Sequence, residues 1–200
     1  VFPIDMGMID PVDGLLSHSV ANGTKDMSQE PAMTIEQVKQ AILTGIRLVE
    51  QRKSEGYHII ATGEAGIGNT STSSAILSIL LNVPVEQVTG RGSGLTDEGL
   101  LRKQNAIKRA IQVNQPDALN ILDVVSKVGG FDIAGMIGAF LGGALYHVPI
   151  IMDGFISGVA ALCAVKMCPF VKDYILPSHI SAEPAGQMLM QGLGFEPVLH

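Results

Sequence analysis

The fold of this chain is decided by one stretch, in which Tyr57-His58-Ile59-Ile60-Ala61 leads into Gly63-Glu64-Ala65-Gly66-Ile67-Gly68-Asn69-Thr70 and then into Ser71-Thr72-Ser73-Ser74-Ala75-Ile76-Leu77. The apolar run, the glycine turn and the following apolar segment predict a strand, a loop and a helix. Glycines let backbone N–H groups approach an anion closely, and a helix N-terminus adds partial positive charge. The stretch therefore predicts a site for a ligand that carries phosphate.

The loop differs from a nucleoside-triphosphate loop at two positions. Its spacing nearly matches G-x-x-x-x-G-K-[ST], but Asn69 stands where the lysine belongs. Glu64 adds a carboxylate inside the turn. A triphosphate loop seldom gains a negative charge and loses its cation, so we expect a phosphate-bearing ligand with different chemistry.

The composition favours one α/β domain over residues 1–200 with an aliphatic core. Hydrophobic residues make up 46% of the chain but aromatic residues only 4%, and Trp is absent. The net charge of -6 argues against nucleic acid or an anionic membrane as the main partner. Cys163 and Cys168 lack the partner residues of a metal site, so we expect two buried or semi-buried thiols without a metal or redox role, in a reduced, cytoplasmic setting.

The segment Ile133–Met152 contains no Asp, Glu, Lys or Arg and includes Gly138-x-x-x-Gly142, which raises the possibility of a membrane span. His147, Pro149 and several glycines interrupt it. We therefore favour a buried helix that leads into a buried parallel strand.

Strand-like and helical runs alternate along the chain. Strands are predicted at Val1–Met6, Tyr57–Thr62, Val148–Met152, Asp173–Leu176 and Glu196–Leu199, with a short extended pair at Val88-Thr89. Between them, helices are predicted from a capping box at Thr34-Ile35-Glu36-Gln37, after the glycine loop, near Pro84, from Thr96, over Asp117–Val128 and Phe131–Tyr146, from a cap at Ser157, and from Pro184. This order indicates an α/β fold with a mostly parallel sheet and helices on both faces, a Rossmann-like arrangement of three layers.

Polar and glycine residues follow the predicted strands at equivalent places. In parallel sheets, ligands bind outside the carboxyl ends of the strands. The residues found there are Asp5 and Gly7, Gly63-Glu64, Gly90-Arg91-Gly92, Asp153-Gly154 and Ser178-His179-Ile180-Ser181. Turn chemistry explains the glycines but not the charged residues, so we predict a binding site at this edge.

Each charged residue at this edge has two interpretations. Glu64 either caps the helix after it or accepts hydrogen bonds from ribose hydroxyls or a heterocycle N–H. Arg91 is either a surface charge or a partner for a phosphate or carboxylate. Lys103, taken alone, is more typical of a solvated helix face. Asp153 ends an apolar strand and needs a donor, either a backbone N–H or a ligand hydroxyl. Ser178 and Ser181, taken alone, are typical caps.

Five motifs in order resemble one enzyme family. They are Gly63–Thr70, Gly90-Arg91-Gly92-Ser93-Gly94, Gly129-Gly130-Phe131-Asp132-Ile133-Ala134, Asp153-Gly154-Phe155-Ile156 and Ser178-His179-x-Ser181-Ala182-Glu183-Pro184. Together they closely resemble the nicotinate-nucleotide–dimethylbenzimidazole phosphoribosyltransferases of cobalamin lower-ligand assembly, over the whole of Val1–His200.

The resemblance implies an α/β enzyme, usually a homodimer, without metal or cofactor. Its partners would be nicotinate mononucleotide and a benzimidazole-type base, and its products α-ribazole phosphate and nicotinate. By motif, the resemblance assigns to substrate binding Glu64, Gly66, Ile67, Gly68, Asn69, Gly90, Arg91, Gly92, Lys103, Asp153, Gly154, Ser178 and Ser181. An alternative is a module of the same fold that binds a nucleotide or nicotinate without turnover.

The chain departs from the family pattern in one respect. The family's general base is a glutamate in a C-terminal segment of the type Leu-Gly-Glu-Gly, which these 200 residues do not contain. No catalytic residue is therefore assigned here. The family also has a helical segment before the position of Val1, so we expect a central fragment of the enzyme.

Overall fold

The computed structural model describes residues 1–10, 12–181 and 183–196. Its strands are short: β1 Ile4–Asp5, β2 Leu16–Ser17, β3 Ile60–Ala61, β4 Ile150–Met152 and β5 Ile175–Pro177. The helices are α1 Ile35–Ser54, α2 Asn69–Leu81, α3 Val85–Val88, α4 Asp97–Asn114, α5 Ile121–Val128, α6 Phe131–Tyr146, α7 Phe155–Met167 and α8 Gly186–Leu193, with a 3₁₀-helix at Pro169–Tyr174.

The strands form two parallel sheets. One has the order β3-β4-β5, with Ile60 opposite Ile150 and Ile150 opposite Ile175. The other pairs β1 with β2, with Ile4 opposite Leu16. The predicted α/β class with parallel strands is confirmed, but the strands are divided between two sheets. The sequence does not predict β2, because it lies in a polar, turn-rich stretch.

The helices begin where local sequence signals predict them in most cases. Thr34 caps α1 as a capping box: its Oγ1 accepts from the Gln37 N–H at 3.1 Å, and its own N–H donates to Gln37 Oε1 at 2.9 Å. Thr96 likewise accepts from the Gly99 N–H at the start of α4. α5 begins later than predicted, because Asn120 rather than Asp117 caps it through the Asp123 N–H.

Three predicted features are wrong. α7 begins at Phe155 after Gly154, so Ser157 lies in its first turn and does not cap it. α8 begins at Gly186, because a turn in which the Gly186 N–H bonds the Glu183 carbonyl at 2.8 Å takes up Pro184. Val88 ends a short helix rather than forming a strand. The Val88 carbonyl accepts from Ser74 Oγ at 2.9 Å, so a helix side chain supplies the partner that a sheet ladder would have given.

The uncharged segment forms the buried helix α6 and the strand β4, as predicted. Glycines bring α6 against α1: a Cβ on Gly138 would lie 2.0 Å from the Ile42 carbonyl oxygen, and one on Gly45 would lie 2.0 Å from that of Gly135. In the described part of the chain, no helix is both long and apolar enough to cross a bilayer. The glycine motif is thus used for close packing between these two helices.

The two-stranded sheet of β1 and β2 lies next to the start of α6. Asp5 Oδ1 accepts from the N–H groups of Gly7 and Met8, each at 2.8 Å, which makes a tight turn after β1. Gly7 lies so close to Phe131 that a Cβ there would be 2.6 Å from the ring. Of the predicted final strand at Glu196–Leu199, residues 197–199 lie outside the described residues.

Candidate nucleotide site

The carboxyl ends of β3 and β4 meet at one cavity. Gly63 and Glu64 follow β3, while Asp153 and Gly154 follow β4, and the two strands are parallel neighbours. The cavity between them has a volume of about 130 Å³. Its lining residues are Gly63, Glu64, Thr70, Asp153, Gly154, Phe155, Ile156, Ser157 and Glu183.

The hydroxyl groups of Thr62 and Ser157 form a small hydrogen-bond network next to this cavity. Thr62 Oγ1 donates to the Ile151 carbonyl at 3.0 Å and lies 2.6 Å from Ser157 Oγ. Because the Thr62 proton is used for Ile151, Ser157 donates to Thr62. Ser157 Oγ also accepts from the Asp153 N–H at 3.3 Å. These bonds join the end of β3, the end of β4 and the first turn of α7, and two of the residues involved, Asp153 and Ser157, line the cavity.

Glu64 lies in an acidic environment. Asn69 Nδ2 donates to Glu64 Oε2 and, at 3.0 Å, to Asp132 Oδ2. Partial desolvation raises the pKa of Glu64, and the negative charges of Asp132 and Asp153 raise it further, against the opposing effect of the Asn69 amide. The Glu64 carboxyl therefore accepts a proton more readily than an ordinary surface glutamate does.

Lys103 is directed toward the glycine loop. Its Nζ donates to Thr70 Oγ1 at 2.8 Å and to the Gly90 carbonyl at 3.1 Å. Burial lowers the pKa of Lys103, and the nearby Glu183 carboxylate opposes that shift. The side chain is half-buried and bonded to the first turn of α2 and to the loop after α3. The solvated interpretation of Lys103 is therefore wrong, and the residue joins α4 to the cavity wall through Thr70.

The second glycine turn fits closely against neighbouring side chains. A Cβ on Gly90 would lie 1.7 Å from Glu183 Oε2, and one on Gly92 would lie 3.3 Å from Thr70 Oγ1. Gly92 also has a φ of 56°, which favours glycine. Gly90 thus leaves room for Glu183 to reach the cavity.

Arg91 and Ile67 do not line the cavity. The Arg91 guanidinium pairs with Asp97 and donates to the Leu95 carbonyl at 2.7 Å, so it braces the turn before α4. Ile67 is fully exposed. Gly68 has a φ of 81° and precedes α2, whose first turn receives no side-chain cap, so backbone N–H groups are available there.

Ser178 and Ser181 lie beyond the end of β5. Ser178 Oγ lies 3.3 Å from the Asp153 carbonyl oxygen and 2.9 Å from His179 Nδ1. Ser181 Oγ accepts from the Glu183 N–H at 3.2 Å. Both hydroxyls make contacts within the loop that carries Glu183, and neither caps a helix, because α8 begins at Gly186 without a side-chain cap; their interpretation as caps is therefore wrong. Neither lines the cavity.

Several residues that line the cavity or bond to its surroundings have no binding role assigned from the sequence. Thr70, Asp132 and Glu183 belong to the family motifs but receive no role from them, and Ser157 is predicted only as a helix cap. The position of Thr70 at the end of the predicted glycine loop is a usable signal. The convergence of Asp132 and Glu183, in contrast, depends on tertiary packing.

A larger groove of about 530 Å³ lies between β2 and α1 and includes His18, Lys39 and Arg47. It contains none of the residues predicted to bind substrate. Its walls come from β2 and α1, whereas the candidate site lies at the carboxyl ends of β3 and β4.

Comparison with known proteins agrees with the resemblance found in the sequence. A family model described as phosphoribosyltransferase (DBI_PRT) matches residues 1–200. A nicotinate-nucleotide–dimethylbenzimidazole phosphoribosyltransferase of Clostridium tetani is 50% identical over 199 residues, which cover 98% of this chain and 55% of that protein. The protein of the same name from Acetivibrio thermocellus is 49% identical, over 98% of this chain and 57% of its own length.

A solved structure shows the same fold. The crystal structure of CobT from Thermus thermophilus superimposes with a TM-score of 0.93 at 35% sequence identity, covering 100% of this chain and 60% of that one. The chain thus spans a little over half the length of the relatives that it matches. The family match over residues 1–200 and the shared fold confirm that this chain belongs to the phosphoribosyltransferase family of these proteins.

Proposed function

We propose that the protein containing this chain transfers the phosphoribosyl group of nicotinate mononucleotide to dimethylbenzimidazole. The products would be α-ribazole phosphate and nicotinate. The names of the relatives described above support this reaction. One observation carries the proposal. The carboxylates of Glu64 and Asp153 line the cavity, and the cation of Lys103 is bonded to Thr70, which lines it as well.

The two sides of the cavity suit the two ends of a mononucleotide. Carboxylates such as Glu64 and Asp153 accept hydrogen bonds from ribose hydroxyls, and they favour the positive charge that develops at the sugar carbon C1′. The uncapped N-terminus of α2 and Lys103 suit a phosphate. We propose that Thr70, between them, moves its hydroxyl from Lys103 to the bound phosphate.

The reaction needs one proton acceptor and no redox step. The bond from C1′ to the nicotinate nitrogen breaks, and its electron pair neutralises the pyridinium. A benzimidazole nitrogen bonds to C1′, and the other ring nitrogen loses its proton to a general base. The family resemblance implies a glutamate outside residues 1–200 for that step. The raised pKa of Glu64 makes it a second carboxyl able to share a proton near the site.

The described cavity is smaller than a complete ligand site. Its volume of about 130 Å³ compares with roughly 300–1,000 Å³ for typical small-molecule pockets. We propose that parts of the protein outside residues 1–200 supply the remaining walls, as the greater length of the relatives allows. We further propose that residues 1–200 form one α/β domain of a cytoplasmic homodimer.

The binding roles of the motif residues form part of this proposal. Direct contact with the nucleotide is proposed for Glu64, Gly66, Gly68, Asn69, Asp153 and Gly154. Support of the loops around it is proposed for Gly90, Arg91, Gly92, Ser178 and Ser181, and contact with the phosphate for Lys103. Ile67, which is exposed beside the glycine loop, is proposed to contact ligand or a covering segment.

The test uses the full-length gene product with nicotinate mononucleotide and dimethylbenzimidazole. Chromatography should show nicotinate and α-ribazole phosphate formed in equal amounts. Absence of both products contradicts the enzyme proposal. Binding of nicotinate mononucleotide without products would instead support the alternative of a binding module.

Lys103→Met should weaken binding of nicotinate mononucleotide by roughly 10- to 100-fold, because a hydrogen bond to a charged group contributes about 1.5–3 kcal/mol. Isothermal titration calorimetry measures the change. Lys108→Met is the control, because Lys108 lies on the same helix and pairs with the exposed Glu86. Equal affinities for the two variants would contradict a phosphate role for Lys103.

A further inference from the structure

Asp132 does not line the cavity but is linked through one amide to Glu64, which does. Asp132 belongs to the first turn of α6, and its Oδ2 accepts from Asn69 Nδ2 at 3.0 Å. The same Nδ2 donates to Glu64 Oε2. An amide NH₂ group has two hydrogens, so one Asn69 side chain serves both carboxylates. Asn69 thereby links a residue outside the cavity lining to one within it.

Two glycines leave space for this link. A Cβ on Gly66 would lie 2.6 Å from both Asn69 Nδ2 and Asp132 Oδ2, and one on Gly130 would lie 2.6 Å from Asp132 Oδ1. Neither glycine has a positive φ, so the backbone conformation at these positions would accept other residues. Glycine is needed at both positions because a side chain there would occupy the space of the Asn69 amide or the Asp132 carboxylate.

The Asn69 amide at the centre of the link is shielded from water, whereas Glu64 itself is exposed. Asn69 is only 8% exposed and Asp132 is half-buried. Charge-assisted hydrogen bonds are stronger where water is excluded. The Asn69 amide therefore has one preferred orientation, with its NH₂ directed toward the two carboxylates.

We infer that Asp132 is a positioning residue for Glu64, because it orients the Asn69 amide that holds the Glu64 carboxyl at the cavity wall. The inference extends the proposed function, on which the catalytic part of it rests. Asp132 touches no reacting atom in the proposed reaction. Its effect on that reaction passes through Asn69 and Glu64.

The charges around Glu64 predict how Asp132 changes the pKa of Glu64. Asp132 from α6 and Asp153 from the end of β4 both raise the pKa of Glu64, while the Asn69 amide and the Gly66 N–H lower it. Glu183 lines the same cavity, and Lys103 lies behind Thr70. Of the two aspartates, Asp132 has the larger effect on Glu64 and is the one joined to it through a shared donor.

The first experiment is a ¹³C NMR titration of the Glu64 side-chain carboxyl in full-length protein. Asp132→Asn retains an oxygen that can accept from Asn69 but removes the charge, so the pKa of Glu64 should fall. Asp123→Asn is the control, because Asp123 also lies in the first turn of a helix, α5, and should leave the titration of Glu64 unchanged. Asp132→Ala removes the same charge and also the acceptor for Asn69, so the pKa of Glu64 should be higher in this variant than in Asp132→Asn; equal pKa values in the two folded variants overturn the inference, whether or not the protein is an enzyme.

The second experiment is a double-mutant cycle on kcat/KM with Asp132→Ala and Glu64→Gln. Asp132→Ala alone should lower kcat/KM by roughly 10-fold, about 1.4 kcal/mol. In the Glu64→Gln background it should have little further effect, because the positioned group is already changed. Additive losses would show that Asp132 only stabilises α6 and would overturn the inference. An inactive wild-type protein would refute the proposed reaction instead, and the NMR titration would still decide the role of Asp132.

Discussion

At the scale of single residues, the cavity contains a carboxyl, that of Glu64, whose ionised form destabilises the folded state. Glu64 is partly desolvated and faces the charges of Asp132 and Asp153, which raise its pKa above the ordinary value of 4.5. The folded state therefore binds the Glu64 proton more tightly than the unfolded state does. Between pH 4.5 and the higher pKa of the folded state, ionisation of Glu64 removes stability as the pH rises. Perturbed carboxyls of this kind are typical of functional sites.

Glu64→Gln should accordingly raise the thermal stability of the protein at pH 7.5 while it impairs activity. Gln keeps an oxygen for the Asn69 amide but carries no charge. Well below pH 4.5 the Glu64 carboxyl is protonated in both the folded and the unfolded state and is as neutral as Gln, so the difference in Tm between variant and wild type should shrink there. Differential scanning calorimetry of variant and wild type, at pH 7.5 and well below pH 4.5, measures this difference in Tm. A variant less stable than the wild type at pH 7.5 would show that the Glu64 charge stabilises the fold.

At the scale of secondary-structure elements, the helices are easier to predict than the strands. α1, α4 and α6 have caps, periodic apolar positions or sustained hydrophobicity, all of which act within a short stretch of chain. The strands have only two or three paired residues each, so their extent depends on which neighbour supplies a partner. That is why the prediction of Tyr57–Thr62 exceeds the paired residues Ile60–Ala61, and why Val88 ends a helix where an extended pair is predicted.

The crossing of α1 and α6 gives the prediction at this scale. Gly138→Ala should destabilise the protein by about 1–3 kcal/mol, because the new methyl would meet the backbone carbonyl of Ile42, which moves only if the helices separate. The greater helix propensity of Ala offsets part of this, by up to about 1 kcal/mol.

Chemical denaturation measures the change, with Gly192→Ala as control. Gly192 is an exposed helical glycine, and a Cβ on it would lie 3.0 Å from the flexible end of the Leu81 side chain. The control should be close to neutral. Equal stability of the Gly138→Ala variant and the wild type would mean that the close approach of the two helices is not needed.

At the scale of the whole molecule, α7 is the central element. It packs against α2, α5, α6, α8, the 3₁₀-helix and β4, and Cys163 on it is completely buried. Burial raises the pKa of the Cys163 thiol to about 12. Cys168 lies past the end of α7 and is partly exposed. The two cysteines expected from sequence to be unpaired thiols are free, and they differ in access to solvent.

N-ethylmaleimide should therefore modify Cys168 in the native protein and leave Cys163 unmodified. Cys163 is enclosed by the elements around α7, so we expect its modification only after unfolding, which peptide mass spectrometry before and after guanidinium treatment checks. Rapid modification of Cys163 under native conditions would show that α7 opens locally.

The sequence by itself determined the α/β class, the order of the helices, the family and the glycine loop with Glu64, because each depends on local periodicity, local capping or a contiguous motif. Only the tertiary structure decided which distant residues share the cavity. Lys103 on α4 donates a hydrogen bond to Thr70 on α2, and the absence of a side chain at Gly90 leaves room for Glu183. Asp132 is linked to Glu64 through the Asn69 amide. These relations arise when segments far apart in the chain are packed together, and no pattern within a single segment specifies the distances between them.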